Sequence, residues 1–352
     1  MQLTTLRRAS ALVAATSVAM LGLSACSTGS DSADDAAAPK ANSTADAAAF
    51  PVTIETSFGD VTIEEEPERV VTLGVDGDNV AALGVAPIAI EKMSWGGNAE
   101  GRTDWFDEAL AKIDGAEEPE LLDVTDGIPT SDIIALEPDV VLGTNSGLTE
   151  ADVDTLTEAG IDVVAYPGVQ WATTWHQSLD MVGKALGRSD QAAELEADLN
   201  ETFEATTAEY PQLEGASFLW ASFYPTDLSK VGLYTAVDNR PAILAELGMV
   251  NPPVVEDAAE DTFYFDVSAE QASSLEADVL VAYGTSTEEV DQMLASPLLQ
   301  QIPPIANDNY VITLEPNDTL GLGFPSVLGI PAAFETFVPE LAAAIDGTPQ
   351  VY

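Results

Sequence analysis

The chain has 352 residues, 46% of them hydrophobic, and is therefore long enough to bury a substantial core in more than one lobe. Its 60 acidic and 11 basic residues give a formal net charge of −49. Such a charge repels nucleic acid and leaves little surface that could neutralise phosphates, so we expect no nucleic-acid partner. With one cysteine, the chain can form no internal disulfide.

The N-terminus has the pattern of an exported bacterial lipoprotein. Arg7 and Arg8 precede an apolar run that is too short to span a bilayer stably. The run ends in the sequence LSAC, which matches the lipobox, where small residues allow cleavage directly before a lipidated thiol. We predict a signal peptide over residues 1–25 and lipidation of Cys26, which would anchor the mature protein on the extracytoplasmic face of the cell membrane. An ordinary cleavage site with an incidental cysteine is the alternative.

A tether and an N-terminal lobe follow the signal peptide. Residues 26–49 are mainly Ser, Asp, Ala, Thr and Asn, which bury too little apolar surface to fold, so they predict a flexible tether. In the lobe, residues 50–172, apolar–polar alternation on both sides of residues 57–59 predicts a hairpin. Short apolar runs then alternate with helical patterns, as in a parallel sheet covered on both faces. Strands are predicted at 70–73, 87–90, 139–142 and 162–165, and helices in DGDNVAALG, PTSDIIALEP and TEADVDTLTEAG.

Residues 173–210 are predicted to form connecting helices. The first helix ends at Gly187, a residue suited to a helix C-terminus. Ser189 can cap a second helix, which runs from Asp190 to about Tyr210 and carries Leu195, Leu199 and Phe203 on one face. About 21 residues rising 1.5 Å each give a rod of about 30 Å, which is long enough to connect two lobes.

Alternation of strands and helices resumes in a C-terminal lobe over residues 211–352. Strands are predicted at 217–223, 279–283 and 310–313, and helical patterns at 240–247, 288–294, 330–345 and in VSAEQASSLE. The predicted fold class is therefore α/β, with two doubly wound lobes, a single long spanning helix and a ligand cleft between the lobes.

Several segments resemble the helical-backbone class of substrate-binding proteins of ABC importers. They are PERVVTLGVDGDNVAALGVAPIAI, IIALEPDVVLGTN, LTEAGIDVVAYPG and VSAEQASSLEADVLVAYG. The resemblance extends from about Phe50 to the C-terminus, and the PERVV opening is most similar to the ferric-siderophore branch; the class also carries haem and cobalamin. It implies a monomeric receptor that holds an Fe(III)-siderophore complex between its lobes, closes little, needs no cofactor and delivers its ligand to the permease subunits of an ABC transporter.

Aromatic residues gather in the predicted loops beyond the carboxyl ends of the strands, where ligands meet doubly wound lobes. Rings in such loops can bury the carbon framework of a bulky chelate, while their polar tips bind its oxygens. Ordinary core packing is the alternative for each ring. The aromatic candidates for ligand binding are Trp95, Trp105, Trp171, Tyr224, Tyr234, Tyr283 and Phe324.

Arg102 and Arg240 are the polar candidates, because a guanidinium can bind carboxylate, catecholate or carbonyl oxygens in a fork. A surface ion pair is the alternative for each. The acidic balance of the chain favours a hydroxamate or mixed-type siderophore over a strongly anionic tris-catecholate complex, although a catecholate ligand stays possible.

The sequence gives little support for an enzymatic function. His176 is the sole histidine, so no histidine cluster for a metal and no histidine relay can form, and catalytic or nucleotide-binding motifs are absent. A secreted α/β enzyme and a ligand-free adhesion or signalling lipoprotein are the alternative functions. Haem is the main alternative ligand, with His176 as an axial group and Tyr234 as its partner.

The family resemblance also implies two docking positions for the permease. In the family, an acidic residue at the start of a helix in each lobe pairs with arginines of the transporter. Glu270 matches the position in the second lobe, whereas Ser131 occupies the position in the first lobe, with Asp132 beside it as a substitute. Favourable charges at helix N-termini are the alternative.

Overall fold

The computed structural model describes residues 45–46, 48–224, 226–258 and 262–352. The predicted signal peptide, Cys26 and most of the predicted tether lie outside these residues. Within the described ranges, no helix is both long enough and apolar enough to cross a membrane.

A hairpin leads into the sheet of the N-terminal lobe. It pairs β1 (Val52–Thr56) with β2 (Gly59–Ile63) in antiparallel register, as the alternation predicted. The sheet is parallel, in the order β5-β4-β3-β6-β7. Strand β5 was not predicted, because its sequence ELL contains only a short apolar run. The strands are β3 (Val70–Thr72), β4 (Ala89–Glu91), β5 (Glu120–Leu122), β6 (Val140–Gly143) and β7 (Asp162–Ala165).

The N-terminal lobe contains one helix where a loop was expected. The helices are α1 (Asp76–Ala82), α2 (Asp104–Leu110), α3 (Thr130–Ala135) and α4 (Glu150–Glu158). The prediction that Trp105 lies in a loop is wrong, because α2 begins directly before it. Thr103 caps this helix by accepting a hydrogen bond from the N–H of Phe106 at 3.2 Å, and the Phe106 ring is buried.

Two helices connect the lobes, as predicted. Helix α5 (Trp175–Ala185) begins with a capping box, in which Thr174 and Gln177 exchange hydrogen bonds. Helix α6 (Ser189–Glu209) has 21 residues and is therefore about 30 Å long. The expected cap is wrong, since Ser189 is already helical and the preceding Arg188 makes no side-chain cap bond.

The sheet of the C-terminal lobe is mixed. Its order is β10-β9-β8-β11-β12-β13, in which β8, β11, β12 and β13 pair in parallel and β9 pairs antiparallel with both β8 and β10. The loop expected between the predicted strand at 217–223 and the predicted helix at 240–247 is wrong in part, because it contains β9, whose Val231 and Leu233 lie in the core. The strands are β8 (Phe218–Phe223), β9 (Lys230–Tyr234), β10 (Tyr264–Ser268), β11 (Val279–Tyr283), β12 (Tyr310–Thr313) and β13 (Gln350–Val351).

The helices of this lobe include the predicted ones and some short additions. The sequence VSAEQASSLE forms the end of β10 and a 3₁₀ helix, Ala269–Ser274, and further 3₁₀ turns occur at Pro211–Leu213 and Leu299–Gln301. The α-helices are α7 (Asn239–Glu246), α8 (Pro253–Glu256), α9 (Thr287–Leu294), α10 (Pro303–Ala306), α11 (Pro316–Gly323) and α12 (Gly329–Ile345).

A continuous hydrophobic core joins the two lobes. The same cluster of buried side chains contains Val140 of the N-terminal sheet and Val281 of the C-terminal sheet. The connection runs through a row of rings: Trp175 of α5 stacks on Phe203 of α6 with centroids 6.1 Å apart, and Phe203 meets Phe334 of α12 edge to face at 5.1 Å. Close packing on both sides of α6 therefore holds the lobes in one arrangement.

We predict that Phe203→Ala lowers the free energy of unfolding by about 3–5 kcal/mol, because it removes a buried ring and leaves a cavity between the lobes. Chemical denaturation measures this loss. The matched control is Glu201→Ala, an exposed position on the same helix, which should change stability by less than about 0.5 kcal/mol. Equal losses for both variants would contradict the role assigned to the Phe203 ring.

Candidate ligand cleft between the lobes

A cleft lies where the carboxyl ends of both sheets face each other. Two neighbouring cavities, of ≈ 150 and ≈ 170 Å³, share Trp95 as a wall. The first also contacts Glu91, which ends β4, and Phe324, which ends α11. The second contacts Tyr283 at the end of β11 and Glu315 after β12. Together the cavities reach the lower end of the usual range for ligand sites, about 300–1,000 Å³.

Larger grooves lie elsewhere on the protein, and the residues that line them differ from those of the cleft. A groove of ≈ 730 Å³ follows α6 and is lined mainly by polar side chains such as Glu204 and Glu246. Another of ≈ 460 Å³ lies beside the β1–β2 hairpin and includes Asp180 and Lys184. Neither one is lined by several aromatic rings, so we take the cleft as the candidate ligand site.

Rings of both lobes meet in the cleft. Trp171, which follows β7, contacts Phe324 edge to face with centroids 5.7 Å apart. Trp95 is 49% exposed and Trp171 is 37% exposed, so both rings present apolar surface to solvent from loops. The loop positions predicted for Trp95 and Trp171 are therefore correct.

The backbone of Trp171 is strained. Its φ angle is +65°, in the left-handed region that bulky residues rarely adopt. A Cβ atom at Gly147 would lie 3.0 Å from Cζ2 of Trp171, so this glycine leaves room for the ring. Strain of this kind costs on the order of 1–3 kcal/mol and is concentrated at functional sites.

Tyr283 lines the C-terminal side of the cleft and belongs to a group of neighbouring tyrosines. The Tyr283 and Tyr234 hydroxyls lie 3.4 Å apart, and the Tyr234 ring meets that of Tyr264 at 5.0 Å. Burial raises the pKa of Tyr234 and of Tyr264 well above the ordinary value, so both are neutral phenols that can donate hydrogen bonds. Tyr264 was missed in the sequence, although its strand alternates polar and apolar residues.

Tyr224 lies at the edge of this group. Its hydroxyl contacts that of Tyr264 and donates to Oδ1 of Asp266 at 2.8 Å. The ammonium of Lys230 binds the other oxygen of Asp266 at 2.7 Å and lies 4.2 Å from the centre of the Tyr224 ring. Tyr224 is therefore engaged by internal partners.

Both candidate arginines are neutralised internally. Nε and Nη2 of Arg240 bind the two oxygens of Asp238 at 2.8 and 2.7 Å, and the guanidinium stacks 3.6 Å from the centre of the Tyr234 ring. Burial opposes the charge of Arg240, but pairing with Asp238 outweighs it, and the pKa of Arg240 is raised. Nε of the buried Arg102 binds Asp107 at 2.5 Å. The surface ion pair considered for these arginines is thus a buried or half-buried pair in each case.

Two buried carboxylates lie near the junction of the lobes, and one of them, Asp78, bonds across it. Asp78 accepts hydrogen bonds at 2.7 Å from Nε1 of Trp105 and, across the lobes, from Oγ of Ser326. Asp76 accepts hydrogen bonds from Thr144 and Ser178. Burial raises the pKa of each carboxyl to about 6, although these hydrogen bonds lower it. Trp105 is therefore part of the junction, a role that sequence reasoning missed.

His176 and the docking candidates lie away from these rings. Nδ1 of His176 contacts Glu196 at 2.8 Å and Nε2 contacts Glu246 at 3.3 Å, so both ring nitrogens are engaged. Asp132, near the start of α3, and Glu270, in the 3₁₀ helix after β10, are both exposed. In the part of the chain that the structure describes, no group of three or more His, Cys, Asp or Glu side chains could hold a metal ion.

Two α/β lobes, a connecting helix and a cleft at the strand ends define a two-lobe substrate-binding protein. Residues 81–317 match the family model of periplasmic binding proteins, and the chain belongs to this family. The predicted resemblance to substrate-binding proteins of ABC importers is thereby confirmed.

Similar proteins are known by sequence and by structure. The chain is 26% identical over 194 residues to the uncharacterized ABC transporter substrate-binding lipoprotein YvrC of Bacillus subtilis. The matched segment covers 54% of this chain and 55% of YvrC. It thus spans about half the length of this curated relative. PiaA of Streptococcus pneumoniae, solved in complex with ferrichrome, has 28% identity and a TM-score of 0.77 over 84% of this chain and 99% of PiaA. A periplasmic solute binding protein of Mycobacterium smegmatis has 26% identity and a TM-score of 0.70 over 84% and 98% of the two chains.

We predict that mild acidification stabilises the protein and that Asp78→Asn reduces this gain in stability. The pKa of Asp78 is raised from 3.8 to about 6 on folding, so protonation favours the folded state. This contribution is fully present below pH 3.8 and is lost as the pH rises through about 6. It amounts to on the order of 2–3 kcal/mol.

Denaturation at pH 4.5 and pH 7 measures the effect. The exposed Asp114→Asn serves as the control for general charge reduction. If Asp78→Asn and Asp114→Asn change the pH dependence equally, the Asp78 carboxyl is not the group responsible.

Proposed function

We propose that the protein captures a ferric siderophore, of hydroxamate or mixed type, and delivers it to the permease of an ABC transporter for iron uptake. The observation that carries this proposal is the ring-lined cleft formed by Trp95, Trp171, Tyr283 and Phe324. Planar rings suit a bulky chelate with an apolar framework, and neutral tyrosine hydroxyls can donate to its oxygens.

Charge supports a hydroxamate ligand. Asp107 and Asp238 neutralise the two arginines that could have offered positive charge to a tris-catecholate complex, which carries three negative charges. A ferric trihydroxamate core is neutral, because three singly charged hydroxamates balance Fe(III). The ferrichrome bound to the pneumococcal relative is a chelate of this kind.

The other ligands and activities have less support. An axial role for His176 in haem binding would require it to give up a contact with Glu196 or Glu246, and Tyr234 is covered by Arg240. The family consists of binding proteins, and we propose neither a catalytic reaction nor a cofactor.

We also propose that the protein acts as a monomer at the extracytoplasmic face of the membrane, anchored through a lipid on Cys26. The lipoprotein character of the Bacillus relative supports this location. The proposed organisation is a signal peptide at 1–25, a tether at 26–49, lobes at 50–172 and 211–352, and connecting helices at 173–210.

We predict that Trp171→Ala and Tyr283→Ala each weaken binding of ferrichrome at least about tenfold, because each removes ring surface from the cleft. Isothermal titration calorimetry measures the affinities without relying on the tryptophan signal. The control is Val250→Ala, an exposed apolar side chain beside Ser217, at the opposite end of the C-terminal sheet. Unchanged affinity in both ring variants would exclude the cleft as the binding site.

We predict that Asp132→Lys combined with Glu270→Lys abolishes iron uptake and leaves ferrichrome affinity unchanged, because these exposed carboxylates would dock on arginines of the permease. Uptake of labelled ferric siderophore by cells measures the first effect and calorimetry the second. Glu158→Lys with Asp346→Lys, at the far ends of α4 and α12, gives the same change of charge. Normal uptake in the Asp132/Glu270 double variant would rule out this docking surface.

A further inference from the structure

We infer that Glu91 makes the cleft selective for a ferric hydroxamate that carries a positive charge, such as a free ammonium group, and this inference rests on the proposed function. Glu91 ends β4 and lines the cavity that Trp95 and Phe324 enclose. Two charged residues, Glu91 and Lys92, line this cavity. Glu91 is half-buried and Lys92 is exposed, so Glu91 is the less accessible of the two charges.

The Glu91 carboxylate is held in place without being neutralised. Its Oε2 accepts a hydrogen bond from the N–H of Gly74 at 2.7 Å, which fixes the side chain against the loop after β3. Throughout the described ranges, no lysine or arginine forms an ion pair with Glu91. Burial raises the pKa of Glu91, and the nearby Asp76 carboxylate adds to this rise, so a cationic ligand group would stabilise the ionised form of Glu91.

The surrounding charges do not cancel that of Glu91. Arg102, which lines the adjoining small void with Glu91, is paired with Asp107. Lys92 packs along the backbone of Gly101, where an added Cβ would come within 3.1 Å of its Cγ and 3.4 Å of its Cε. Because Lys92 is exposed, water and salt screen its charge, whereas the sheltered carboxylate is screened less.

The second cavity adds negative charge and an aromatic face. Glu315 lines this cavity, and the exposed Trp95 ring lines both cavities, so each carboxylate shares its cavity with Trp95. An ammonium group gains from a carboxylate and from an aromatic face together. A neutral trihydroxamate core with one ammonium arm therefore matches this cleft better than a neutral or an anionic chelate.

The experiment compares two forms of one ligand. A linear ferric trihydroxamate with a terminal primary amine carries one positive charge, and its N-acetylated form is neutral with the same metal core. We expect wild type to bind the amine form roughly tenfold more tightly than the acetylated form, since hydrogen bonds to charged groups contribute about 1.5–3 kcal/mol. Glu91→Gln should remove this preference, because the affinity for the amine form falls to that for the acetylated form.

The acetylated ligand also reports on the integrity of the cleft in the Glu91→Gln variant, because the glutamine keeps an oxygen for the N–H of Gly74. The control variant is Glu315→Gln, which removes the exposed carboxylate of the second cavity and should retain most of the preference. Equal binding of both ligand forms by wild type, or a preference that survives Glu91→Gln, would overturn the inference while the siderophore function stands. Binding of neither form would instead contradict the proposed function.

Discussion

The packing of α6 between α5 and α12 of the C-terminal lobe is the constraint on which the rest of this structure depends. Phe203 lies between Trp175 and Phe334, so the rod that connects the lobes is also a part of the core that they share. A receptor built in this way has a cleft of defined width before any ligand arrives. Binding then avoids much of the ordering cost that a mobile pair of lobes would incur.

Several polar groups near the cleft also bind partners within the protein. Asp78 joins the lobes through Ser326, while Arg102 and Arg240 are each occupied by a neighbouring aspartate. Groups that already have partners hold the walls in position and offer little net charge to a ligand. In the proposed function, ligand recognition would depend on the rings and on Glu91, and these groups differ from the ones that stabilise the junction of the lobes.

Periodicity and strand-end chemistry allowed the lobes, the connecting helix and the loop positions of Trp95 and Trp171 to be predicted from sequence. Strand β9 was missed because its glycine and short length are typical of a turn, and only its pairing with β8 and β10 makes it a strand. The partners of Arg240 and Trp105 were also beyond sequence reasoning. Asp238 lies only two residues before Arg240, whereas Asp78 lies 27 residues before Trp105, and the burial that decides both pairs is a property of the whole fold.

The strained backbone of Trp171 affects how the thermal stability of this protein can be raised by substitution. A glycine or asparagine would adopt a φ of +65° with far less strain, so any procedure that selects for thermal tolerance alone will favour replacing the tryptophan. Such a variant would lose the ring that meets Phe324 across the cleft. A substitution that stabilises the backbone at position 171 would therefore remove a ring from the proposed ligand site.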